Sequence, residues 1–131
     1  MSVGIELYDS FKKNIEKAVT ALQDKDYVTA QESIKSAMIE NCHAPEVHNL
    51  LGILAEFTDD LSLAAKHFRA AYALDPTYKP ASRNLKRITS FYYCPGDMNP
   101  DFGDKPETEK FNNYILEFDN MNIGHLRKRS Q

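Results

Sequence analysis

Residues 45–78 read PEVHNLLGILAEFTDDLSLAAKHFRAAYALDPTY, and this stretch decides the fold. Apolar and small residues recur at steps of three and four on both sides of Asp59-Asp60, the spacing of two amphipathic helices joined by a tight turn. Asp60 stands where a helix begins, and its carboxylate can accept a bond from an otherwise orphaned amide. Asp75-Pro76 ends the second helix, because the residue before a proline is biased away from helical geometry and proline has no N–H to donate. Gly52 and Ala64 are small at the predicted crossing of the two helices, while Phe68 and Tyr72 are large enough to fill the space around it.

Sliding the sequence by 34 residues lays this stretch over its upstream neighbour. Asp26 falls on Asp60, Ala30 on Ala64, Ile34 on Phe68 and Ala37 on Ala71. Ala18 falls on Gly52, Ala21 on Ala55, Tyr27 on Leu61 and Met38 on Tyr72. Small residues match small and large match large, which is the mark of a stacked repeat in which one helical pair cannot bury its apolar face alone.

The segment 45–78 resembles a tetratricopeptide (TPR) repeat, with Leu51, Gly52, Ala55, Ala64, Phe68, Ala71 and Pro76 at that family's spacing. His48 takes a place where a bulky residue, often Trp, is usual. Residues 11–44 resemble a weaker copy, in which Lys17 replaces the usual Leu and Cys42 the closing Pro. The resemblance covers roughly residues 11–91 and implies an all-α fold. That fold is a short right-handed solenoid of two helix-turn-helix repeats, 11–44 and 45–78, closed by a capping helix over 79–91. Leu85 and Ile88 of that helix face inward, and Lys79, Arg83, Lys86 and Arg87 give it a wet outer face. Upstream, Ile5, Tyr8, Phe11, Ile15, Ala18 and Leu22 extend the first helix back to about Val3. Residues 1–91 thus form one helical domain.

Composition changes at Tyr92, and residues 92–131 read as a C-terminal extension. Phe91 to Gly96 stops the capping helix, and residues 97–105 form an irregular acidic linker with Asp97, Asp101 and Asp104. Asp104-Lys105-Pro106-Glu107 has the chemistry of a helix start, and Phe111, Tyr114, Ile115 and Phe118 follow at helical spacing, predicting a short helix over about 106–120. An extended segment with Tyr114, Leu116 and Phe118 on one face is the competing reading, since Asn112 and Asn113 are poor helix formers.

The chain has 131 residues and a formal net charge of −3, so no basic footprint covers it; the clusters Lys79–Arg87 and Arg127–Arg129 are small and argue only weakly for nucleic acid. Cys42 and Cys94 make no disulfide framework, and no secretory signal or membrane-spanning run appears, so a cytoplasmic setting is expected. Cys42, His43, His48, His67 and Cys94 do not match zinc-ligand spacing. Gly96 and Gly103 are isolated, and no nucleophile has an assigned base. Neither enzymatic activity, nor a metal, nor a cofactor is expected.

What the resemblance implies instead is protein binding in a groove lined by the first helix of each repeat. Carried over, that groove presents Lys12, Ile15, Glu16 and Val19, then Asn49, Ile53, Glu56 and Phe57, then Arg83 and Arg87. The Lys, Asn and Arg positions with which some members hold chaperone C-termini are here Ile15, Val19, Leu50, Pro80 and Asn84, so that clamp is absent. The expectation is an adaptor for a peptide or helical segment, acidic near Arg83 and Arg87. The alternative is a self-associating module whose tail (Phe111, Tyr114, Ile115, Phe118) docks in its own groove or in that of a second copy.

Overall fold

The computed structural model describes residues 3–94, 99–107, 114–118 and 124–128, with side chains for 8–94 and 99–107. Five helices follow in order: α1 (Val3–Gln23), α2 (Tyr27–Glu40), α3 (Pro45–Phe57), α4 (Leu61–Leu74) and α5 (Lys79–Ile88). Connections of three residues between α1 and α2, and between α3 and α4, fold each pair into an antiparallel hairpin. α2 then packs on α3 and α4 on α5, while α3 also adjoins both α1 and α5. The result is two layers, with α1, α3 and α5 in one and α2 and α4 in the other.

The period of 34 is written into the backbone as well as the side chains. Lys25 (φ 62°) and Asp59 (φ 66°), 34 residues apart, are the two non-glycine residues with positive φ among the described residues. At each turn the following amide reaches five residues back, Asp26 N–H to Ala21 C=O and Asp60 N–H to Ala55 C=O, both at 2.8 Å. This is the Schellman closure of a helix C-terminus, here made without the usual glycine. Asp26 and Asp60 then cap the second helices, accepting from Thr29 N–H at 3.2 Å and Leu63 N–H at 3.0 Å. Asn41 and Asp75 end those helices in the same extended conformation, φ −153° and −152°.

Ala18, Leu22, Ala30, Ile34 and Ala37 of the first hairpin and Leu50, Ile53, Ala64 and Phe68 of the second are fully or almost fully buried in a continuous core. The small residues lie where the spacing places them. A Cβ on Gly52 would stand 2.4 Å from Phe68 Cε1, so α3 approaches α4 more closely than alanine permits.

The tail departs from expectation. Tyr114–Phe118 is a β-strand (β1), paired antiparallel with Gly124–Lys128 (β2), and not the second half of a helix over 106–120. Residues 104–107, read as that helix's start, are not helical, and Phe111 lies outside the described residues. The register sets Leu116 opposite Leu126 and Tyr114 opposite Lys128, so the competing extended reading describes this segment. Tyr114, Ile115 and Phe118 are residues that favour strands once a partner strand exists, and a single segment cannot announce its partner. The capping helix also stops three residues early, at Ile88, followed by a turn.

Candidate functional site: a strap across the α1–α3–α5 face

Residues 99–107 run back over the face made by α1, α3 and α5, and their main chain is read there by two asparagines. Asn84 on α5 accepts the Asp101 N–H on its Oδ1 at 2.7 Å and returns its Nδ2 to the Asp101 carbonyl at 2.8 Å. Asn49 on α3 donates to the same carbonyl at 3.0 Å, and Asn84 Nδ2 also reaches Asn49 Oδ1 at 2.8 Å. A main-chain N–H can only donate, so the bond from Asp101 fixes which way the Asn84 amide points, and that in turn fixes Asn49. Both asparagines are buried, at 0% and 1% exposure, and bond to each other and to this one peptide segment, with Arg87 donating a further bond of 3.3 Å to Asn84 Oδ1.

Charge fastens the strap on either side. Arg83 meets Asp101 Oδ2 at 3.0 Å and grips Glu107 through two bonds of 2.7 and 3.0 Å. Those carboxylates, Glu107 foremost and then Asp101, hold the guanidinium protonated beyond its usual range. The neighbouring Arg87 is turned elsewhere, forming a two-pronged pair with Glu56 at 2.5 and 2.7 Å. The Glu56 side chain is completely buried, and Tyr93 Oη donates to it at 2.8 Å. Burial first, then the bond to Glu56, pushes the Tyr93 hydroxyl up to about 12.

Between these anchors the strap inserts Phe102, whose ring meets Phe57 edge-on at 6.4 Å between centroids and packs against the core. Gly103 follows with φ +74°, and a Cβ there would fall 2.3 Å from Tyr78 Oη. Both the conformation and the space favour glycine. The Tyr78 hydroxyl has no hydrogen-bond partner among the described residues, and burial, followed by the charges of Glu46 and Asp101, raises its pKa. Beside Phe102, α1 leaves a cleft of about 410 Å³, floored by Phe11, Ile15 and Val19 and rimmed by Lys12, Glu16, Glu46 and Asp104.

The structure therefore divides the ten groove residues named from sequence. Lys12, Ile15, Glu16 and Val19 line the open cleft on α1. Asn49 and Arg83 hold the strap, and Phe57 packs against Phe102. Ile53 belongs to the core, while Glu56 and Arg87 are committed to each other. Asn84, Tyr78, Asp101, Phe102, Gly103 and Glu107 were not anticipated as site residues. The signal for Asn84 was present, since it is a polar residue on the inward face of a short amphipathic helix.

Elsewhere, His48 and His67 stack across α3 and α4 with their Nδ1 atoms 3.3 Å apart, and burial lowers the pKa of both. Cys42 and Cys94 are exposed and free. Among the described residues, no group of three or more His, Cys, Asp or Glu side chains gathers as a metal site would require, and no helix is long and apolar enough to cross a membrane. No protein-family model, no curated protein and no solved structure matches this chain.

Proposed function

We propose that this chain is a TPR-like protein-interaction module, without catalytic activity, whose α1–α3–α5 face receives an extended polypeptide segment. The observation that carries the reading is the asparagine pair. Asn49 and Asn84 bond the N–H and C=O of a single residue, a mode of recognition that depends on backbone shape and is open to many sequences. Flanking positions then select: Arg83 for acids, the wall at Phe57 for an aromatic ring. Main-chain bonds for affinity and side-chain pockets for specificity are the usual division of labour in peptide recognition.

The test is a titration of the full chain carrying Asp101→Ala and Phe102→Ala with a labelled peptide of residues 99–107, followed by fluorescence anisotropy. Saturable binding that weakens at least roughly tenfold when Arg83→Glu is added, the loss of one charge-assisted contact, is the expected result. Absence of any binding to a folded variant would remove the peptide-binding reading.

A second reading draws on the same strap. Residues 99–107 would be a permanent structural brace, and the module would act through other surfaces. It predicts that weakening the strap lowers the melting temperature and opens no site.

A further inference from the structure

The strap is a template for the partner. Resting on the peptide-binding reading above, we infer that the partner of this face is an extended segment of the pattern acid–aromatic–glycine followed, four residues after the glycine, by a second acid, and that residues 99–107 are its tethered competitor.

Each element of the pattern is a separate physical requirement. The first position needs a free N–H, because Asn84 Oδ1 accepts it, and so excludes proline; its carboxylate meets Arg83. The second position fills the wall beside Phe57 with a ring. The third favours glycine, since its φ of +74° strains any other residue and a Cβ there, 2.3 Å from Tyr78 Oη, would force the tyrosine to shift. The last position returns to Arg83 as a two-pronged carboxylate, at 2.7 and 3.0 Å. In the strap these are Asp101, Phe102, Gly103 and Glu107.

The strap's fastening is of a kind that exchanges. Its two ion pairs join water-accessible side chains, with Arg83 44%, Glu107 48% and Asp101 28% exposed, and such pairs are worth little individually. Only one aromatic ring enters the core. Against this stands the tether, which presents the strap at an effective concentration on the order of millimolar. A free partner therefore binds with its intrinsic affinity multiplied by the fraction of time the strap is away.

The experiment compares the labelled peptide of residues 99–107 on two folded full-length proteins, the natural chain and Asp101→Ala/Phe102→Ala, with circular dichroism confirming helicity. The proposal expects at least roughly tenfold tighter binding to the variant, from removal of the competing tether. It also expects that peptides carrying Gly103→Ala, or a scrambled order of the same residues, lose binding to that variant by at least tenfold on the same scale. Equal binding to both proteins would overturn the competition. Equal binding of the Gly103→Ala and scrambled peptides would leave a peptide site standing and overturn the pattern. No binding of any peptide to a folded variant would remove the underlying reading too. A natural chain that sediments as a dimer and becomes monomeric on adding peptide would assign the site to a second copy and overturn a foreign partner. Should the double variant fail to fold, Asp101→Ala with Glu107→Ala releases the Arg83 anchors alone and carries the same expectations.

Discussion

The two helical hairpins share one backbone and carry different interiors. Position by position, Ile15, Ala18, Val19 and Leu22 of α1 become Asn49, Gly52, Ile53 and Glu56 of α3. Caps, turns and left-handed residues repeat, yet the first hairpin turns an apolar strip toward an open cleft, while the second buries an asparagine under the strap and a carboxylate against Arg87 and Tyr93. The scaffold is specified by a handful of local devices, and the remaining positions are free to diverge. What diverged is the chemistry of the α3 face, which is where the chain's own segment binds.

The most severe way to break this comparison is to remove the partner of the residue that most separates the hairpins. Arg87→Ala leaves the Glu56 carboxylate, completely buried, with the Tyr93 hydroxyl as its one other side-chain partner among the described residues. A loss of about 3–4 kcal/mol in urea unfolding is expected, as for other buried pairs deprived of one member. Glu56→Leu, which installs the residue of the first hairpin, should cost much less, because Arg87 is 22% exposed and keeps access to water. If both variants lose the same amount, the asymmetry of burial is not what governs this pair.

A second test exchanges the crossing residues. Gly52→Ala forces a Cβ against Phe68 and should cost about 1–3 kcal/mol by overpacking. Adding Phe68→Ile recreates the Ala18–Ile34 pair of the first hairpin and should recover part of that loss. A double-mutant cycle is expected to show coupling of about 1 kcal/mol, and additivity would mean the two sites do not share the space.

A third distinguishes the hairpins by pH. His48 and His67 correspond to Asn14 and Ser33, so only the second hairpin titrates here. Their pKa values are lowered in the fold, chiefly by burial. The stability this implies is fully present above the unfolded value of about 6.5 and is lost as pH falls through the depressed folded values. The melting temperature should therefore drop between pH 7 and 5, and His67→Ser should flatten that slope. An unchanged slope would place the acid sensitivity elsewhere.

The smallest effect concerns the turns. Asp59→Gly relieves a left-handed conformation and should stabilise by about 0.5–1 kcal/mol. Lys25→Gly should gain less, because the Lys25 ammonium sits 3.8 Å from the centroid of the Phe57 ring and that contact would be lost. Equal gains would show that the cation contributes nothing.

The helices and their ends were legible because the information is local. Asp26 and Asp60 cap the residues that follow them, and Gly52 and Ala64 are small at a spacing any reader can count. The strap was not legible, because its meaning lies in a fold-back. Nothing within residues 99–107 points to Asn49, some fifty residues upstream, and an asparagine inside a helix looks like solvated surface until something covers it. Strand β1, expected to be part of a helix over about 106–120, escaped for the same reason. The cap-like Asp104–Glu107 is a local signal, whereas the pairing of Leu116 with Leu126 is a long-range one. Six of the ten named groove residues proved to line the cleft or hold the strap, and Phe57 packs against Phe102. The others did not because Glu56 and Arg87, each readable as a surface charge, neutralise one another inside.

Synthesis order gives the strap one more property. The five helices precede residues 99–107 in the chain and so emerge first, leaving Asn49 and Asn84 open to water until the strap follows. For a nascent chain elongating at roughly 5–20 residues per second, Glu107 follows the end of α5 by about one to four seconds. Any polypeptide bearing the right ribbon that is already nearby, a sister chain on the same messenger included, meets the face during that interval without rivalry.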